Sequence, residues 1–410
     1  MIVPRGELLY NIRVMAKINN YFKDKYDDDQ EEFRAKISRH RRLIVYRLLI
    51  FLAIGGVICG AMYYNYRNMI YTDYTVLRTM DYEESTTAKY LKFNNNILRY
   101  STDGISAFNM DNEMLWNKTF EMQNPIVDVC KDYVAVGDYK GSKIYVLNSQ
   151  GPQGEIDTTL PIQNLCVSGT GNVAVILEEG EVTWVKLFNK EGQNIANDRT
   201  TMDKSGYPVA IAISDDGIML CVSYLIIDGG SLTSSVAYYN FGNVGQNEID
   251  NLVSGYNFSN SIISYVNFMN ANTSFAVGDN RFEIFKGAQK PENVFETDIT
   301  EEIRSVFCNE DYIGLVYAEG RSENPYHIDV YNTTGEIVFT LDFALNYSDI
   351  VFNNDLVIIY NSDDCMIYNM NGVEKYNGEF KESIVEMVPT DSVTKYLLVS
   401  GTRTEEIQLK

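Results

Sequence analysis

The chain has 410 residues, of which 45% are hydrophobic, 12% aromatic and 22% charged, a composition that buries a core and excludes disorder over most of the length. Its formal net charge of −22 repels a phosphate backbone and disfavours nucleic-acid binding. With two histidines, His40 and His327, imidazole catalysis and polyhistidine metal sites lack raw material.

Residues 1–42 carry ten basic and seven acidic side chains, a net of +3, whereas 23 basic and 49 acidic residues follow from position 65, a net of −26. Within the first segment, Leu8, Ile12, Met15, Ile18 and Phe22 recur at helical spacing, with Arg13, Lys17 and Lys23 on the other faces. That stripe suits the inner leaflet or a partner helix. Asp27, Asp28 and Asp29 then offer an N-cap, with Glu31 and Glu32 in the first turn, which predicts a second helix running from about Gln30 into the apolar segment that follows.

Residues 43–64 form that segment; positions 48–62 hold no charge, and Arg39, Arg41, Arg42 and Arg47 flank its N-terminal side. A bilayer core needs roughly 17 to 25 helical residues, and Arg47 can snorkel to the headgroups. The basic flank predicts a single-pass protein of the cell membrane, with residues 1–42 cytoplasmic, 65–73 a linker and 74–410 outside. The basic region starts too late, and without a small-residue cleavage site, for a cleaved signal peptide. Ile58 before Cys59 likewise departs from a lipoprotein signal. Ala53, Gly56 and Gly60 give a small-residue helix face that fits a homodimer through the membrane, although such residues are common in membrane helices anyway.

Beyond the linker the sequence repeats. An aliphatic or aromatic residue and Asn, usually with Gly three positions after the Asn, recurs at Phe108-Asn109, Leu147-Asn148, Phe188-Asn189, Tyr331-Asn332 and Tyr368-Asn369, with Asn112 in the Gly place of the first and Tyr239-Asn240-x-Gly242 as a variant. The Asn residues are 39, 41, 51, 92 and 37 positions apart, the 92 spanning a degenerate unit at Phe285-Lys286-Gly287. A period of about 40 residues built from short strands is a propeller blade. Apolar strands at 126–130, 162–166, 209–214, 263–268, 304–308 and 349–352 keep the same phase.

Seven units follow, at residues 88–125, 126–161, 162–202, 207–258, 261–300, 301–344 and 347–380, and three more strands at 384–389, 395–400 and 405–410 end the chain. The missing strand is available at 74–82. The expectation is therefore an all-β, eight-bladed β-propeller closed by that strand, with seven blades as the alternative, preceded by one transmembrane helix and a short helical segment. Closure removes an aggregation-prone edge.

The hairpin from Gly104 to Trp116, with Ala107-Phe108-Asn109 at its turn and Trp116 on its last strand, resembles the outer hairpin of quinoprotein-like, PQQ-type propeller repeats. The stub, anchor and propeller together also resemble an uncharacterised family of membrane-anchored propeller proteins of Gram-positive anaerobes. These resemblances imply a fold and a cell-envelope location and carry no catalytic residues.

The adjacent cysteine pair of cofactor-using quinoproteins is absent, and no nucleophile-elbow, zincin, phosphate-loop or EF-hand motif occurs. Asp215-Asp216-Gly217 and Asp363-Asp364 fall at predicted turns, where Asp and Gly are expected anyway. Cys130, Cys166 and Cys308 share one place in the first strand of three blades, which reads as a repeated small buried hydrophobe. We therefore expect no enzyme activity, cofactor, metal site or nucleic-acid partner. The expected role is a membrane-anchored envelope protein that binds or scaffolds an unidentified envelope protein or polymer. A single-pass sensor relaying ligand binding to the cytoplasmic segment, or a degenerate quinoprotein-like enzyme, are the alternatives.

Overall fold

In a computed structural model, residues 5–81, 88–201, 206–318 and 323–410 are described. The chain divides into two compact units after Met69. The first contains helix α1, Arg5–Arg67, 63 residues without a break. The predicted division near Asp27 does not occur. No proline lies between positions 5 and 67, and interior Asp costs a helix only a fraction of a kcal/mol, roughly 0.7 at most relative to Ala, so the capping residues yield to propagation. The side chains of Leu8, Ile12, Ile18, Phe22 and Asp27 to Asp29 lie outside the described residues. Within α1, Ser38–Asn65 is long and apolar enough to cross a membrane, about 42 Å at the rise of an α-helix.

The second unit is an eight-bladed β-propeller. Each blade is a four-stranded antiparallel sheet, and the strands span residues 89–119, 125–157, 162–201, 207–259, 263–298, 302–343 and 349–379 for blades one to seven. Blade eight joins Glu386–Pro389, Lys395–Val399 and Arg403–Leu409 to Tyr74–Asp81 as its outermost strand. That strand pairs from Tyr74 opposite Leu409 to Asp81 opposite Arg403, so the ring is closed by the two ends of the unit, as expected from the repeat phase. The Tyr82 and Met202 ends of the predicted segments lie outside the described residues.

Eight buried clusters fill the ring, each dominated by residues of two adjoining blades. The second strand of a blade is covered on both faces and so reads as an unbroken apolar run, as in Leu356–Tyr360, where all five residues are buried. There Leu356, Ile358 and Tyr360 face blade eight, while Val357 and Ile359 face blade six. Outermost strands are solvated on one side and alternate instead, as in Glu292–Asp298.

The recurring Asn is a turn-builder. Its side-chain oxygen accepts backbone N–H groups further along the hairpin: from Asp111 at Asn109, Gln150 at Asn148, Gln193 at Asn189, Gly242 at Asn240, Thr334 at Asn332 and Asn371 at Asn369. Except in the Asn240 variant, the fourth residue adopts positive φ, +84° at Gly335, which glycine takes without strain. Asn112 stands there at +61°, a conformation Asn tolerates. Gly335 also has no room for a side chain, because a Cβ would lie 2.1 Å from the Phe295 ring of the preceding blade. Trp116 lies beside Gly151 of blade two, 3.6 Å from the position a Cβ would take there.

Candidate functional site

The first strand of each blade lines the ring's axis. Between blades two and six these strands enclose a cavity of about 450 Å³. Bulges recur in these strands, between Ile162 and Asn164 and between Ile263 and Tyr265, and side chains such as Asn164 and Tyr265 are among those lining the space.

Asp128, in the wall from blade two, accepts the Val167 N–H of blade three at 2.7 Å, and Val129 contributes a second backbone amide. Burial pushes its carboxyl up despite those two bonds. Asn164 and Asn267 each turn their side-chain oxygen onto the next backbone N–H, of Leu165 and Phe268, at 2.8 and 2.9 Å. The Asn267 amide donates to the Tyr265 hydroxyl at 3.2 Å and to the Cys308 sulfur at 3.4 Å. Tyr265 stays a neutral phenol: burial raises it first, with smaller contributions from Cys308 and from Asp128 of blade two.

One end of the cavity opens at the turns after the first strands, where Lys131, Asp215, Asp216 and Glu310 gather. Lys131 pairs with Asp215 at 2.8 Å, and the other Asp215 oxygen accepts the Cys130 S–H at 3.4 Å. Asp215 and Asp216 occupy the turn predicted for them; Asp216 accepts from the Ser214 hydroxyl at 2.6 Å and from the Ile218 N–H at 3.1 Å. Asp363 is likewise a turn residue, accepting from Ser383 and Ser362 at 2.5 and 2.7 Å.

Cys130, Cys166 and Cys308 each pack, partly buried, against an inter-blade cluster at their shared place, and all three also line the cavity, which the sequence did not reveal. Alternation along the strand puts Cys130 on the same side as Asp128, and Cys166 on the same side as Asn164. Burial pushes the Cys130 thiol up to about 12, helped by Asp215, and the Cys308 thiol up to about 11; Cys166 is also raised well above its ordinary value, mainly by burial. Neutral thiols are weak nucleophiles and poor metal ligands. Cys221 and Cys365 are buried, and none of the described cysteines is bonded to another.

His327 lies in blade six, away from the axis, between Asp342 at 2.5 Å on Nδ1 and Asp329 at 3.0 Å on Nε2. Burial pulls the imidazole down, but the Asp342 bond and the Asp329 charge outweigh it, so His327 titrates above its ordinary value. The carboxylates approach opposite ring nitrogens, and among the described residues no three metal-ligating side chains converge. In α1, Ala53, Gly56 and Gly60 are exposed, and nothing lies within 4 Å of the Cβ positions built at the two glycines.

Sequence reasoning placed the first strands correctly but did not find Asp128, Asn164, Tyr265 or Asn267. The available signal was a repeated polar-x-Cys pattern, Asp128-x-Cys130 and Asn164-x-Cys166, in two successive blades.

The fold and cavity define a propeller with an axial polar pocket, on a chain whose residues 38–65 are long and apolar enough to cross a membrane. Residues 65–409 match the model of a family of unknown function, DUF5711, and the chain belongs to that family. No curated protein matches the sequence. Among solved structures, BamB from Moraxella catarrhalis is 11% identical with a TM-score of 0.52, over 82% of this chain and 100% of that one. Hsv2 from Kluyveromyces lactis is 8% identical at 0.46, over 73% and 100%, and Raptor from Chaetomium thermophilum 8% at 0.46, over 83% and 29%. At such identities the BamB likeness speaks to fold alone.

Proposed function

We propose that this protein is a membrane-anchored binding or scaffold protein of the cell envelope, with residues 1–42 in the cytoplasm, residues 43–64 across the membrane and the propeller outside, and that it binds rather than catalyses. The observation that carries the reading is the closure itself: the strand that completes the ring, Tyr74–Asp81, follows the apolar helix by a few residues, so the closing sheet is joined directly along the chain to the proposed anchor. The cavity chemistry supports binding, since its thiols are held neutral and its amides are already engaged within the wall.

Orientation is tested by adding protease to intact, wall-stripped cells. The propeller should be removed and a fragment containing α1 retained; a protected C-terminus would reverse the topology. Binding is tested by pull-down with the full-length protein from envelope extract at low and high salt. A net of −26 beyond position 65 should steer a basic envelope protein or polymer to the ring, with capture weakening as salt screens over roughly 8 to 10 Å. Absence of any salt-sensitive partner would leave the acidity as a solubility device. The unbroken α1 favours one further reading, a single-pass sensor, because a continuous rod rather than a hinge runs from the apolar span into the N-terminal segment.

A further inference from the structure

We propose that the axial cavity is a site for a small organic cation, an alkylammonium ion whose charged nitrogen rests on the Asp128 carboxylate. The proposal rests on the binding reading above and adds to it the ligand class and the place.

Among the described residues no cationic side chain is paired with the Asp128 carboxyl in the cavity wall. A carboxylate offers about four acceptor positions, and the amides of Val167 and Val129 take two at Asp128. Lys131 is the one cationic side chain lining the cavity among the described residues, and it is engaged by Asp215 at the mouth. The surrounding thiols and the Tyr265 phenol are neutral. A carboxylate set in a protein wall without a counter-charge is costly, and a cation delivered into the space removes that cost.

The remaining lining selects the kind of cation. No three metal-ligating side chains converge among the described residues, which disfavours a bare metal ion. Partly exposed Val209 gives the cavity an apolar contact suited to methylene groups, and about 450 Å³ lies within the ordinary range of small-molecule pockets. From Asp128 to the mouth is three residues along an extended strand, about 10 Å. Glu310 and Asp216 at that mouth place further negative charge where the second nitrogen of a short diamine can reach.

The test uses the full-length protein in nanodiscs of uncharged phosphatidylcholine, titrated calorimetrically with 1,4-diaminobutane at near-physiological salt. One saturable site is expected. Asp128→Asn keeps an oxygen for the Val167 amide while removing the charge, and should weaken binding by about tenfold or more. Cys166→Leu leaves Asp128 intact and narrows the cavity, so it should weaken binding too and guards against a folding defect in the first variant. Glu121→Gln, an exposed acid elsewhere, should change nothing. No saturable heat, or a response that persists in both cavity variants and disappears with salt, overturns the proposal, because the amine is then attracted only to the acidic surface. That outcome leaves the partner-binding reading standing, since the pull-down reports on the propeller surface and not on the cavity.

Discussion

Replacing Tyr74 by alanine should lower the melting temperature of the propeller by about 4 to 7 °C, from a loss of about 3 to 5 kcal/mol for truncating a fully buried aromatic side chain in a unit of this size. Tyr74 is 2% exposed and packs in the cluster between blades seven and eight with Tyr376, Tyr396 and Ile407. Its hydroxyl accepts the Lys381 N–H at 2.8 Å, and the Lys381 ammonium sits 4.6 Å from the ring centre. The adjoining backbone is tied to the C-terminus, with Lys410 N–H donating to the Asp73 carbonyl at 2.9 Å and Thr72 N–H to the Lys410 carbonyl at 3.0 Å. Deleting residues 74–81 should be more damaging, because it strips Arg403–Leu409 of its partner along the whole strand and exposes an edge that recruits other chains. Val76→Ala, at a position 38% exposed, serves as the control with little effect. Unchanged melting and solubility after the deletion would show that the ring does not depend on its closing strand.

A comparable loss, about 3 kcal/mol, is expected for Arg281→Ala in blade five, because it leaves a buried carboxylate without its cation. The Glu283 side chain is 1% exposed and lies 3.0 Å from the Arg281 guanidinium, with Asn293 also donating to it. Arg281 in turn stacks 4.9 Å from the Phe258 ring centre of blade four, so the pair also joins two blades. Burial pushes the Glu283 carboxyl above its ordinary value in spite of Arg281 and Asn293. The folded protein therefore holds this proton to higher pH than the unfolded chain does, and stability linked to Glu283 is greatest below the ordinary carboxylate range and declines as pH rises through the raised value. Glu283→Gln should remove that decline and be neutral or stabilising at pH 7. The double variant should recover most of what Arg281→Ala loses, as read from melting curves at several pH values. Equal melting of Arg281→Ala and the parent would show that the pair contributes nothing.

Blade number and closure were legible because a propeller writes its period into its turns. Asn at the hairpin corner is required by hydrogen bonds to nearby backbone amides, as at Asn189 and Asn369, and the positive φ that follows calls for Gly or Asn. Such local requirements survive even where the rest of a blade diverges. Doubly covered second strands and alternating outer strands follow from burial on two faces or one, and Leu356–Tyr360 and Glu292–Asp298 show both patterns. The membrane-length helix was equally plain, since an uncharged run beside an arginine cluster needs no tertiary context. Continuity of α1 was not plain, because Asp27 to Asp29 can cap a helix or sit within one, and the choice depends on propagation from both sides.

By itself the sequence determined the all-β class, eight repeats, the strand that closes them and the apolar helix before them, all of which rest on residues near one another in the chain or on simple counting. Tertiary structure alone decided the pocket. Asp128 and Tyr265 are 137 positions apart and share a cavity only because eight similar sheets close around an axis. The same closure brought Cys130, Cys166 and Cys308, each packed against an inter-blade cluster, onto that one cavity, since which side of a first strand faces inward is set by the ring and not by the strand's own composition.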